Sequence, residues 1–199
     1  MSYKNKYLFI PLVAICFMFF ASCGDRVKQF QDIPEEQPLQ QTENDIERGK
    51  YLVEIMGCND CHSPKRMGNN GPELIPELLL SGYPSDRPII DFTSPLIQQG
   101  FSVFYPDLTA AIGPWGISFA ANLTPHPSGL GNWTAEQFKI ALTQGKSKGL
   151  ENARMLLPPM PWVNYSSMKE EDVLAIFRYL RSITPVENVV PAPVAPEAL

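Results

Sequence analysis

Histidine and cysteine are scarce in this chain, at two and four in 199 residues. A basic excess is missing as well, with 16 Lys and Arg against 21 Asp and Glu. Phosphate contacts need a basic patch, so nucleic acid is excluded as the partner. No apolar run reaches the roughly 20 residues of a membrane-spanning helix; the run from Tyr7 to Phe20 falls short. No internal repeat is visible. Proline, by contrast, is plentiful and clustered, 20 residues in all, and 44% hydrophobic residues suffice for a packed core.

The first residues point out of the cytoplasm. Lys4 and Lys6 precede the apolar run, and Phe20-Ala21-Ser22-Cys23 follows it. This order predicts a secretory signal peptide over residues 1–22, the alternative being an uncleaved N-terminal anchor. A cysteine directly after the cleavage position resembles the lipobox of bacterial lipoproteins, with Phe20 in place of the usual Leu. That resemblance implies a lipid on Cys23 and a membrane-anchored protein facing the periplasm. Removal of residues 1–22 takes away two lysines and no acid, leaving 14 positive against 21 negative charges, or −7. Residues 23–44 are polar with little to bury and are expected to form a flexible tether. A domain over 45–186 and a Pro/Ala-rich tail over 187–199, extended and disordered, complete the division.

With Cys16 in the leader and Cys23 assigned to lipid, Cys58 and Cys61 remain. A Cys-x-x-Cys pair can form a disulfide or a redox dithiol. Here it continues as Cys58-Asn59-Asp60-Cys61-His62, the haem attachment signature. Thiols three residues apart share one helical face, where they can add to the two vinyl groups of a haem. His62 then meets the iron from the same side. Zinc would need further Cys or His ligands, and the other histidine is His126, in a turn-rich stretch and expected to be exposed. A thioredoxin-like motif would want a βαβ context, which is absent. One motif implies one covalent haem c.

Three helices are expected around it. Asn44 or Asp45 can cap a helix running toward Met56. Thr134 and Gln137 form a capping box for a second helix, which Gly145 stops. A third runs from about Met168 to Ser182, with Ser167 and Glu170 as a capping box and Val173, Ile176, Phe177 and Leu180 as an apolar stripe. Candidates for the second axial ligand are Met67, His126, Met155, Met160 and Met168. Met160 lies in Leu157-Pro158-Pro159-Met160-Pro161-Trp162, where three prolines exclude helix and hold the strand of chain rigid. A rigid strap can present a thioether at a fixed point; the alternatives are core filling by Met160 and ligation by Met155.

The order helix, haem motif, helix, strap, helix resembles the class I cytochromes c. Further stretches sharpen the likeness: Arg48-Gly49-Lys50-Tyr51-Leu52, Ala121-Asn122-Leu123-Thr124-Pro125, Gly131-Asn132-Trp133-Thr134, Met160-Pro161-Trp162 with Tyr165, and Tyr179-Leu180-Arg181-Ser182. Over about residues 46–186 the chain resembles the cytochrome c subunits of membrane-bound alcohol and gluconate dehydrogenases, as a monohaem relative. The resemblance implies an all-α cytochrome c fold with a long irregular insertion, and Met160 as distal ligand. It also implies a proline carbonyl, here that of Pro72, as acceptor for the His62 ring N–H, unless Gly71-Pro72 is an ordinary turn. Trp133 and Asn122 are implied as donors to haem propionates. The insertion, about Ile75 to Ala120, is expected to cover a haem edge or to form a docking face.

The function expected is electron transfer, not enzyme catalysis, between a dehydrogenase or respiratory complex and an acceptor such as an oxidase. Six-coordinate iron leaves no position for a substrate. The alternatives are a haem enzyme, or a gas or redox sensor, with a labile sixth ligand.

Overall fold

The computed structural model describes residues 43–89 and 95–196. The signal peptide, Cys23 and all but the end of the tether lie outside the described residues. Contacts divide the chain into residues 1–40 and 41–199, and all described residues belong to the second unit.

Helix α1, Glu43–Ile55, places Asn44 and Asp45 inside its first turn, where Glu43 and Asp45 complement the positive end of the helix dipole. It packs on α5, Glu170–Ser182. Gly49 makes the close approach possible, because a Cβ there would stand on the Ala175 carbonyl oxygen. Arg48–Asp172 at 2.9 Å and Arg178–Asp45 at 2.6 Å tie the same pair of helices. Helix α4, Ala135–Gln144, carries the expected capping box, with Gln137 N donating to Thr134 Oγ1 and Thr134 N to Gln137 Oε1, and it ends on left-handed Gly145. Leu52 and Val53 of α1, Phe138 and Leu142 of α4, and Val173, Ile176, Phe177 and Leu180 of α5 form one buried core. The expected stripe of α5 is therefore core. Its cap differs from expectation: Lys169 is the N-cap and makes no side-chain capping bond. A 3-10 turn over Trp162–Tyr165, continued by the bond from Met168 N to Tyr165 O, occupies the chain up to the helix and keeps Ser167 out of the capping position. Glu170, Glu171 and Asp172 supply negative charge to that end instead.

An all-α fold, in contrast, is overturned. Besides α1, α4, α5 and the short helices α2 (Cys58–His62) and α3 (Pro95–Gln98), the described residues hold two antiparallel sheets. Strands β1, Lys65–Gly68, and β2, Gly71–Leu74, form a hairpin closed by Asn69-Asn70 between paired Gly68 and Gly71. Strands β3 (Val103–Phe104), β4 (Ala110–Gly113) and β5 (Gly116–Phe119) form a three-stranded sheet, with Pro114-Trp115 as the β4–β5 turn. These strands are at most four residues long and β4 is buried at every position, so no alternation of polar and apolar residues announces them.

The segment read as an irregular insertion is thus a packed subdomain. Tyr83 is fully buried, with its ring 5.6 Å edge-on from Tyr105 and 4.7 Å from Phe119. Arg87 pairs with Asp107 at 2.7 Å and donates to Thr109 Oγ1. The Pro/Ala segment is extended as expected but not disordered through residue 196: Ile117 N donates to Val194 O and Val194 N to Ile117 O, adding Val194 to the free edge of β5. Asn188, buried, donates to Ser81 O and Tyr83 O and accepts from Ser85 N. Among the described residues no helix is long and apolar enough to cross a membrane.

Candidate haem site

Gly57, in the left-handed region at φ 68°, ends α1 and turns the chain into α2. A glycine suits this conformation because no Cβ meets the backbone there. The single turn that follows carries Cys58, Cys61 and His62. Its far end is fastened on three sides. Ser63, fully buried, donates to Asn59 Oδ1 at 2.7 Å and accepts from Leu80 N. Lys65 Nζ donates to Asp60 O at 2.6 Å and to Asp107 O at 2.8 Å, placing a cation at the helix C-terminus and tying the motif to the sheet subdomain. Gly82 N donates to His62 O. Gly82 has φ 81°, and a Cβ there would run into the backbone of Ala120 and Ala121, so only glycine lets these two segments meet beside the motif.

Both thiols are free and half-buried. Burial pushes the Cys58 thiol up to about 11 and raises Cys61 as well, each reinforced by the Asp60 carboxylate. The Tyr165 phenol is raised by burial and by its closeness to the same two sulfurs, which places it beside the motif.

The imidazole of His62 is oriented by Ala121, whose carbonyl oxygen lies 2.7 Å from Nδ1. A carbonyl can only accept, so Nδ1 carries the proton and Nε2 presents its lone pair. That is the tautomer required of a ligand that binds metal through Nε2. Burial holds the ring below its ordinary pKa, against the opposing pull of the Ala121 carbonyl, and keeps it neutral. The acceptor is not Pro72: that residue sits in β2, paired with Met67.

Ala121 is itself locked. Asn122 accepts from Thr124 N and Oγ1 through Oδ1, and its amide donates to Val186 O, Ser128 Oγ and Asn188 O. With its amide spent on these bonds and its side chain buried, Asn122 is not a propionate donor, contrary to expectation. Asn122-Leu123-Thr124 is an Asx-turn pattern that could have marked this locked segment; nothing in the sequence marks its partners near Val186. Trp133 is partly buried against the main core.

Met160 is partly buried and packs on the same core that receives Cys58 and Tyr165. Its strap is held by Leu156 N to Gly145 O at 2.6 Å, Ser118 Oγ to Pro158 O at 2.6 Å, and Asn164 N to Pro161 O at 2.9 Å. Trp162 stacks against Gly145, where a Cβ would collide with the indole, and the Pro158-Pro159 bond is cis. The other candidates stand differently. Met67 is 71% exposed on the hairpin and Met155 is 39% exposed beside Lys146. Met168 also packs on the core, at the start of α5. His126 is half-buried and spends Nδ1 on Ser128 N and Oγ, holding its own turn.

These groups fit a haem. Two unpaired thiols share one helical turn, the adjacent imidazole is neutral with Nε2 available, and one thiol and the thioether of Met160 meet a common apolar core. Among the described residues no group of three or more His, Cys, Asp or Glu stands together as a metal site. A porphyrin supplies four equatorial nitrogens of its own and needs only axial donors from the protein.

No family model matches the chain. Curated relatives do. The fructose dehydrogenase cytochrome subunit of Gluconobacter japonicus is 28% identical over 145 residues, 71% of this chain and 22% of the relative. The gluconate 2-dehydrogenase cytochrome c subunit of Pantoea cypripedii is 26% identical over 143 residues, 71% of this chain and 24% of the relative. The alcohol dehydrogenase (quinone) cytochrome c subunit of Gluconobacter oxydans is 30% identical over 143 residues, again 71% of this chain and 22% of the relative. The chain is therefore related to the cytochrome c subunits of dehydrogenases, and it spans about a quarter or less of the length of these relatives.

Proposed function

We propose that this chain is an electron carrier holding one haem c, attached covalently through Cys58 and Cys61, with His62 and Met160 as axial ligands. The observation that carries the proposal is His62 itself: a ring fixed by Ala121 as the Nε2-ligating tautomer, one residue from a free, half-buried thiol. When bound, the haem supplies a one-electron couple. The protein's residues hold and tune it. Ala121 draws on the Nδ1 proton and makes His62 a better donor. Met160 offers a weak, neutral thioether, which favours ferrous iron and raises the potential relative to two imidazoles. Met160 and Tyr165 keep apolar surface against the site and limit water. With His62 and Met160 both holding the haem iron, no position would remain for a substrate, which favours a carrier over an enzyme.

The kinship with dehydrogenase cytochrome subunits supports a dehydrogenase as electron donor, with an oxidase or other respiratory acceptor beyond it. The leader and Cys23 support export and a lipid anchor, so that the 45–186 domain works on a tether at the periplasmic face of a membrane. Visible spectroscopy of the holoprotein tests the ligation. The ferric form is expected to show the long-wavelength sulfur-to-iron band and the ferrous form to resist carbon monoxide; Met160→Ala abolishes the band. A band that survives this substitution moves the ligand to another methionine, and a high-spin wild-type spectrum refutes the carrier.

A further inference from the structure

We propose that the exit of strand β5, Ser118 to Ala121, braces both axial ligands, and that Ser118 is the positioning residue for Met160. The inference rests on the His62/Met160 ligation proposed above and assigns a task to the sheet subdomain. Met160 sits in a strap whose prolines 158, 159 and 161 have no N–H to donate. With three of its donors missing, such a segment is tied from outside mainly through its carbonyls and by packing. Two residues before Met160, the carbonyl of Pro158 accepts from Ser118 Oγ at 2.6 Å. Ser118 is buried, and Trp115 Nε1 donates to the same hydroxyl at 3.3 Å; of the two acceptors in reach of its proton, Pro158 O is much nearer than Ala111 O at 3.4 Å. Three residues on, Ala121 O accepts the hydrogen bond from His62 Nδ1.

The segment joining these two contacts is rigid. Ser118 pairs with Ala111 inside the sheet, Ala120 N donates to Thr109 O, and Tyr83 N donates to Ala120 O. On the outer side Val194 bonds Ile117 in both directions. One backbone thus holds the proximal imidazole at one end and the thioether strap at the other. Because a thioether is the weaker ligand, loosening the brace is felt first as easier departure of Met160.

The test compares full-length holoproteins: wild type, Ser118→Ala, and the pair Ser118→Thr and Ser118→Val, which differ only by hydroxyl against methyl. Carbon monoxide capture by the ferrous form and thermal loss of the sulfur-to-iron band are read, with circular dichroism as the measure of folding. Loss of one hydrogen bond predicts roughly five-fold faster capture in Ser118→Ala, and loss of the band at lower temperature while the helical signal persists. Ser118→Thr is expected to behave like wild type and Ser118→Val like Ser118→Ala. The Thr/Val comparison decides the matter if the Ala variant does not fold. A wild type that shows the band, with capture unchanged in the variants lacking the hydroxyl, overturns the brace alone. A wild type without the band overturns the ligation, and the brace with it.

Discussion

Replacing Asn188 by alanine removes three hydrogen bonds from a point 126 residues beyond His62 yet close behind its acceptor loop. The side chain is 6% exposed, and its amide donates to Ser81 O at 2.6 Å and Tyr83 O at 2.9 Å while its oxygen accepts from Ser85 N at 2.8 Å. Each such bond contributes about 1 kcal/mol net, so the three together amount to about 3 kcal/mol. For a domain of this size about 1 kcal/mol corresponds to roughly 2–4 °C in Tm, which predicts a fall of roughly 6–12 °C in a thermal melt followed by circular dichroism. Asn188→Asp is expected to fall further, because it sets a carboxylate against two carbonyl oxygens where an amide had donated. An Asn188→Ala melt within 2 °C of wild type, a margin set as roughly the effect of 1 kcal/mol, would show that the segment after α5 does not hold the loops around residues 81–85. The docking of the C-terminal segment would then be wrong.

The remaining predictions concern the helices, the sheet subdomain and the thiols. Gly49→Ala drives a methyl into the Ala175 backbone, which no rotamer change can relieve; overpacking at the upper end of its usual range, about 3 kcal/mol, exceeds the roughly 1 kcal/mol gained in helix propensity, so Tm falls. An unchanged or raised Tm would contradict the α1–α5 contact. At Asp107, burial pushes the carboxyl up, but the donors Arg87 and Thr109 together outweigh it and leave it below its ordinary value. Its contribution is therefore complete above the ordinary carboxylate pKa of about 3.9 and is lost as pH falls through the folded value. Asp107→Asn should cost roughly 2 kcal/mol at pH 7 in urea unfolding, and the gap should close in acid; a gap independent of pH refutes the assignment. In haem-free folded protein, Cys58 with its pKa near 11 should react with iodoacetamide at pH 8 roughly two orders of magnitude more slowly than in urea. Equal rates would mean that the thiol is not buried as described.

The arrangement of the candidate site was legible because it is local. Five consecutive residues, Cys58 to His62, set the thiols and the imidazole on one turn, and Thr134, Gln137 and Gly145 mark the limits of α4 through side-chain bonds and a left-handed backbone that act within one turn. The strap around Met160 was legible as a rigid segment for the same reason. What escaped depends on contacts distant in sequence. The acceptor for His62 is a backbone carbonyl 59 residues away, and every residue has one whatever its side chain, so no residue type at 121 signals it. The sheet strands are too short for periodicity to register, and their stability comes from Tyr83, Arg87 and Asp107 meeting across the subdomain. The C-terminal segment looks like a free Pro/Ala tail because its bonds are made by backbone, by Asn188 and by Val194, none of which stands out in that composition.

Covalent attachment of haem at Cys58 and Cys61 is the claim on which the rest depends, and the most direct measurement is of the exported protein extracted with acidified organic solvent. The predicted result is that the colour stays with the protein and that the peptide containing Cys58 to His62 exceeds its polypeptide mass by one haem. A colourless protein, or pigment that leaves with the solvent, would contradict the account.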